Sequence, residues 1–138
     1  MKQLTIVAAF LLVAACAAVD VPPDVNARLE QIETSGDLRF SGPIYVKYRV
    51  WASNFTEEPI TLDRVELHTI GPGAYTLNEP ALPLKLTIPP KEGASAVVMA
   101  RGTATGGTMS MNEPVNVRVT AYFTRGGKSF VRVFNQSF

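Results

Sequence analysis

Apolar and polar residues alternate along much of the chain after residue 40, with the period of two that is typical of β-strands. The clearest case runs from Ile44 to Trp51, where every even position is apolar or aromatic while Lys47 and Arg49 occupy odd positions. Turns rich in glycine, proline and asparagine separate such segments about every ten residues. This pattern predicts an all-β fold, an immunoglobulin-like antiparallel β-sandwich of six to eight strands.

The segment from residue 60 to residue 70 changes its apolar parity part-way along. Its first two apolar residues lie on even positions and the next two on odd positions, namely Ile60 and Leu62, then Val65 and Leu67. One extra residue near Asp63 and Arg64 would place all four side chains on the same face of a sheet. The sequence therefore predicts a β-bulge at this point.

Gly126 and Gly127 separate two alternating segments near the end of the sequence. Two glycines between such segments are typical of a two-residue hairpin turn, whose geometry fixes the register of both strands. The predicted register pairs Arg125 with Lys128, Phe123 with Phe130, Val119 with Phe134 and Val115 with Phe138. One face of the hairpin is then largely apolar.

Three other segments have weaker patterns. Residues 25–34 have apolar residues at helical spacing behind Asp24, a possible N-cap, but they are equally compatible with an edge strand. Pro83 lies inside an alternating run and predicts an edge strand, because proline cannot donate to a β-ladder. Residues 94–101 are expected to form a strand, and residues 102–108 a flexible loop.

The first 18 residues have the layout of a secretory signal, in which Lys2 precedes the apolar run Leu4 to Val13 and small residues follow. The apolar run is about half as long as a membrane-spanning helix needs to be. We therefore expect an exported protein whose leader does not belong to the fold.

Val13-Ala14-Ala15-Cys16 resembles the lipobox of bacterial lipoproteins. This resemblance implies that Cys16 is lipidated and becomes the mature N-terminus, and Ala17 implies transport to the periplasmic face of the outer membrane. The chain then divides into a signal peptide (1–15), a lipid anchor and tether (16–24) and a sandwich domain (25–138). In the alternative, an ordinary signal peptidase cuts after Ala17 or Ala18 and Cys16 is lost.

Composition excludes several kinds of partner and site. The 138 residues include 13 basic and 12 acidic ones, a net charge of +1, which gives no field suited to nucleic acid. Cys16 is the only cysteine, so the predicted domain has neither an internal disulfide nor a thiolate metal site. We expect membrane attachment through the lipid and a protein partner in the envelope.

No residue pattern indicates catalysis or a cofactor. His68 is the only histidine and is expected to be an outward-facing residue of a predicted strand, so we expect the protein not to be an enzyme. The alternative function is copper binding. Met109 and Met111 provide two thioethers that suit Cu(I), and His68 and Met99 are possible further ligands. The segment 65–69 is similar to the first ligand strand of periplasmic copper proteins of cupredoxin-like fold.

The middle of the chain resembles a family of exported sandwiches. Ile44 to Asn54, the turn to Pro59, the strand Ile60 to Leu67 and the later Ile88-Pro89-Pro90-Lys91-Glu92-Gly93 are similar to the immunoglobulin-like modules of the late-embryogenesis-abundant type 2 kind. That resemblance implies a binding or structural role without catalytic residues. An exposed sheet edge or the loop region 102–114 is the expected contact surface.

Overall fold

A computed structural model describes residues 24–78 and 81–138, which form eight β-strands in two antiparallel four-stranded sheets. The strands are β1 (Val25–Ser35), β2 (Gly42–Asn54), β3 (Ile60–Ile70), β4 (Tyr75–Leu77), β5 (Ala81–Ile88), β6 (Gly93–Ala104), β7 (Asn116–Arg125) and β8 (Lys128–Ser137). The first sheet has the order β1-β2-β6-β4 and the second β5-β3-β7-β8. Alternate side chains of both sheets fill the core between them. The predicted all-β sandwich is confirmed.

The ambiguous segment after Asp24 forms a strand, not a helix. Val25 and Leu29 are both buried, because residues four apart share a face in a strand as well as in a helix. The register with β2 shifts between Gln31 and Glu33, and Ile32 lies exposed at this irregularity. Strand β1 is therefore an edge strand that contains a bulge.

The predicted bulge in β3 is confirmed. The register of β3 shifts between Leu62 and Arg64 against both of its neighbours, β5 and β7. As a result, the four apolar side chains on either side of the bulge are all buried: Ile60, Leu62, Val65 and Leu67.

The hairpin of β7 and β8 has the predicted register. Arg125 pairs with Lys128 across the two glycines, and Phe123 pairs with Phe130 in a stacked arrangement with ring centroids 5.3 Å apart. Gly126 and Gly127 both have positive φ, 55° and 76°, which a type I′ turn requires and glycine adopts without strain. The Gly-Gly turn thus sets the pairing of the whole hairpin.

The loop expected to begin at residue 102 begins later, so this prediction was wrong at its N-terminal side. Gly102 to Ala104 continue β6 and pair with β4. A Cβ at Gly102 would lie 2.6 Å from the carbonyl oxygen of Thr76, so glycine is what permits this close approach. The connection to β7 spans residues 105–115 and contains a short 3₁₀-helix, Ser110–Asn112.

Two further expectations concern strand edges and turns. Strand β5, which contains Pro83, lies at the edge of its sheet as predicted.

Asn54 begins the predicted polar turn but is buried, and its side-chain Nδ2 donates to the carbonyl oxygens of Glu58 and Ile88. Its Oδ1 accepts from the backbone and hydroxyl of Thr56. The side chain of Asn54 therefore joins the turn to the end of β5.

Candidate interaction surfaces

The residues of the predicted copper site are distributed over different parts of the sandwich. His68 is exposed on the outer face of the second sheet, opposite the cation Arg118. Met99 is exposed on the outer face of the first sheet, so the core separates it from His68. Met109 and Met111 lie in the connection between β6 and β7. Across residues 24–78 and 81–138, no cluster of three or more His, Cys, Asp or Glu residues is arranged to hold a metal ion.

Cys16, the predicted lipidation site, lies outside the described residues, together with the predicted signal peptide (1–15) and most of the tether (16–24). None of the described residues belongs to a helix that is long and apolar enough to span a membrane. The first described residue, Asp24, is fixed at one end of the sandwich, where its carbonyl oxygen accepts from the backbone N–H of Phe55. The tether segment therefore joins the domain at that end.

Two loops with exposed apolar residues form the opposite end of the sandwich. We call residues 36–41 and 105–114 the distal loops. Met109 is 85% exposed and Phe40 is 68% exposed, and Met111 is also exposed. The backbone N–H of Gly107 donates to the carbonyl oxygen of Arg39, which joins the two loops to each other. Of the residues 102–114, which the sequence analysis expects to form the contact region, residues 105–114 lie in the distal loops, and Phe40 lies in the neighbouring loop.

The distal loops are also fixed to the body of the sandwich. The backbone N–H of Thr105 donates to Ala74, and its hydroxyl donates to the carbonyl oxygen of Gly73 over 2.6 Å. Gly106 has a φ of 82°, and a Cβ there would lie 2.6 Å from the backbone nitrogen of Ser41. These hydrogen bonds and this close approach fix the loop backbone that carries the exposed apolar side chains.

A chain of polar side chains runs from the core to the side of the sandwich between β1 and β8. The hydroxyl of Tyr48 lies 2.7 Å from that of Tyr75, and Tyr75 donates to Oε1 of Gln31. Gln31 in turn donates to the hydroxyl of Thr34. Burial raises the pKa of both tyrosine hydroxyls, and that of Tyr48 more strongly. No single segment of sequence indicates this chain, because its members come from β1, β2 and β4.

Strands β1 and β8 are the adjacent edges of the two sheets, and an open seam lies between them. Its larger cavity, of about 420 Å³, is lined by Arg28, Leu29, Glu30, Gln31, Gln136 and Phe138. A second cavity, of about 280 Å³, lies beside it against Tyr75, Met111 and Phe138. The backbone N–H of Leu29 donates to Oε1 of Gln136 across the seam. We call this region the β1–β8 seam.

Comparison with known proteins gives likenesses in fold only. No family model matches the chain, and no curated protein matches it. A Northeast Structural Genomics Consortium target, SoR45, is similar with a TM-score of 0.51 and 16% identity over 83% of this chain and 82% of that chain. A protein from Archaeoglobus fulgidus has a TM-score of 0.50 and 11% identity, covering 83% of this chain and 91% of that chain. These likenesses agree with an immunoglobulin-like sandwich and carry no function.

Proposed function

We propose that the protein is a lipid-anchored module of the bacterial cell envelope, which binds a protein partner and does no chemistry itself. The observation that carries this proposal is the placement of two features at opposite ends of the sandwich. The tether segment joins the domain at Asp24, whereas Phe40 and Met109 are exposed at the other end. A chain anchored at Cys16 would present the distal loops away from the membrane.

Several further features support the proposal. The lipobox-like sequence before Cys16 suits lipidation, and several acyl chains anchor a protein stably where one does not. The resemblance to late-embryogenesis-abundant type 2 and other exported modules suits a non-catalytic role. Exposed methionine and phenylalanine side chains on a fixed backbone are suited to burial against a protein, because the loops have already lost much of their backbone entropy before binding.

The anchor is tested with the full chain expressed in a bacterial host. Intact mass of the mature protein should show an N-terminal Cys16 that carries acyl chains, and the protein should partition into detergent. The Cys16→Ser variant should lose both properties. A wild-type mass that corresponds to cleavage after Ala17 or Ala18, without added lipid, would contradict the anchor.

The partner surface is tested by site-specific photo-cross-linking in the native envelope. A benzoylphenylalanine at position 40 or 109 should form a reproducible adduct with one envelope protein. The matched control is the same group at Phe55, which is exposed at the tether end. Identical adducts from position 55, or no adduct from either distal position, would show that the distal loops are not the contact surface.

A further inference from the structure

Among the described residues, a regular set of backbone groups along the outer edge of β8 has no partner strand. Val115 and Phe138 exchange both of their backbone hydrogen bonds, each 3.0 Å long. Since hydrogen-bonded pairs alternate in an antiparallel ladder, the even-numbered residues of β8 bond to β7. The odd-numbered residues direct their N–H and C=O groups away from β7 along the open edge: Ser129, Val131, Val133, Asn135 and Ser137.

This edge lacks the features that interrupt two of the other edges. Strand β1 contains the bulge at Ile32, and β5 contains Pro83 and Lys85, whose φ is 51°. Strand β8 pairs with β7 without a register shift and contains no proline. Such a long, regular edge is a template for an added strand.

In the part of the chain that the structure describes, strand β6 also has no second neighbour beyond its short pairing with β4, and it serves as a comparison. Its free part, residues 93–100, consists mostly of glycine, alanine and serine and contains no charged residue. Small residues pack poorly against a neighbouring strand. Strand β8 instead presents aromatic and β-branched residues together with Lys128 and Arg132.

The hairpin that carries the β8 edge is positively charged. Residues 116–137 include four basic residues and no acidic one, the basic residues being Arg118, Arg125, Lys128 and Arg132. Arg125 lies 3.9 Å from a carboxylate oxygen of Glu58. Within residues 24–78 and 81–138, the other three have no acidic side chain within 4 Å. An acidic strand would complement this charge, whereas a second copy of the hairpin would repel it.

The side-chain positions of β8 define what the added strand should contain. Arg132 pairs with the buried Ala121, so it lies on the core side of the sheet between Phe130 and Phe134. A strand added to β8 places the residue opposite Arg132 on that same side. An acidic residue suits this position, and apolar residues suit the positions two before and two after it. The next inward side chain would enter the β1–β8 seam beside Gln136.

We propose that the β8 edge binds an extended segment of a partner protein by strand addition, and that this segment has the pattern apolar-x-acidic-x-apolar. Main-chain hydrogen bonds provide the affinity, and Arg132 with the seam provides the selectivity. The sheet that contains β8 is antiparallel throughout, and the added strand continues this arrangement by running antiparallel to β8. The proposal adds a binding surface to the proposed function, but it depends neither on the lipid anchor nor on the distal loops. The peptide tests below can therefore fail while the anchor and cross-linking tests succeed, and the reverse.

The direct test uses the full chain in detergent and the synthetic peptide Thr-Thr-Val-Thr-Glu-Thr-Val-Thr-Thr, blocked at both ends. Calorimetry should show one-to-one binding, and replacing the central glutamate with lysine should weaken it about tenfold. Amide exchange followed by NMR should slow at Val131, Val133 and Asn135 and stay unchanged at Phe134. Equal binding of the two peptides, or no binding, would overturn the proposal.

Two matched proline variants test the edge itself. Val133 and Val97 are similarly exposed, at 58% and 53%, and both direct their N–H away from the neighbouring strand, Val133 on β8 and Val97 on β6. Val133→Pro removes an N–H from the proposed interface and should abolish peptide binding. Val97→Pro should leave it unchanged. Loss of binding in Val97→Pro alone would assign the peptide to β6 and overturn the proposal.

A third arm leaves the protein unaltered, in case a proline variant fails to fold. N-methylation of the two threonine amides next to the glutamate removes donors that face β8 and should abolish binding. N-methylation of the glutamate amide, which faces away, should not. The opposite result would overturn the proposed register.

Sedimentation tests whether a second copy of the chain binds the β8 edge instead. A dimer that persists in the presence of the peptide, but that dissociates in the Val133→Pro variant, would assign the edge to a second copy and overturn the proposal.

Discussion

The phenolic oxygens of Tyr48 and Tyr75 lie 2.7 Å apart inside the sandwich, and Tyr75 donates its own proton to Gln31. Tyr48 is therefore the donor between the two tyrosines. Tyr75 is the central member of the chain, because it takes part in both hydrogen bonds. Removing the Tyr75 hydroxyl therefore leaves a buried donor, the Tyr48 hydroxyl, without an acceptor, whereas removing the Tyr48 hydroxyl does not.

Removing the hydroxyl of Tyr75 should destabilise the protein more than removing that of Tyr48. Tyr48→Phe loses one hydrogen bond and should cost about 1 kcal/mol, whereas Tyr75→Phe leaves the buried Tyr48 hydroxyl without its acceptor and should cost about 2–3 kcal/mol. Denaturant unfolding measures both values. The double variant should cost less than their sum, since it leaves no buried hydroxyl. Equal costs for the two single variants would contradict this hydrogen-bond assignment.

The same pair predicts loss of stability in alkaline solution. Burial raises the pKa of Tyr48 and of Tyr75 in the folded state. A tyrosine in the unfolded chain has a pKa of about 10, so the unfolded state loses these protons first as the pH rises. The free energy of unfolding should keep this contribution below about pH 10 and lose it progressively above that pH. Measurements between about pH 8 and 11 should show a shallower fall in Tyr48→Phe than in the wild type.

Asn54→Asp should destabilise the turn that follows β2. The carboxylate retains the shape of the amide but cannot donate to the carbonyl oxygens of Glu58 and Ile88, and it places a charge beside them. We expect a loss of about 3 kcal/mol in the free energy of unfolding. Asn116→Asp, at an exposed position, is the matched control and should change stability by less than about 0.5 kcal/mol. Similar losses in the two variants would show that the buried amide is not responsible.

Gly102→Ala should weaken the pairing of β4 with β6. The new methyl group would lie 2.6 Å from the carbonyl oxygen of Thr76, so backbone has to move, at a cost of about 1–3 kcal/mol. Gly42→Ala is the control, because a Cβ at Gly42 meets no atom within 4 Å. Exchange of the Asn78 amide, which bonds to Arg101, should accelerate only in Gly102→Ala. Unchanged exchange and stability in that variant would contradict the close approach.

Local signals allowed much of the fold to be predicted. Gly126 and Gly127 lie between two alternating segments and favour a two-residue turn, so the register of β7 and β8 follows from the turn. The parity change between Leu62 and Val65 indicates a bulge, since both residues have to face one core. The sequence did not predict a strand at residues 102–104, where the residues are small, because glycine and alanine do not produce an alternation of apolar and polar side chains. Gly102 and Ala104 have the composition of a loop, and their pairing with β2 and β4, both distant in sequence, makes them a strand.

The candidate surfaces were harder to predict than the strands. The sequence indicates Met109 and Met111 only as ligands in the alternative copper function and as members of the region 102–114, and it does not single out Phe40. Its proximity to residues 105–114 depends on the backbone contact between Gly107 and Arg39, which are far apart in the sequence. The open edge of β8 required the order of strands in the sheet, which alternation alone does not specify.

The strand β1 also determines how the domain would respond to force. It runs from the tether end to the distal loops and is 11 residues long, about 36 Å at roughly 3.3 Å per residue. A pull between Cys16 and a partner on the distal loops would act along this strand, perpendicular to its hydrogen bonds with β2. The ladder would then be sheared with all bonds loaded together instead of being opened one pair at a time. The sandwich is therefore oriented to resist mechanical extension along the axis from Asp24 to the distal loops, on which the proposed anchor and the proposed partner would pull.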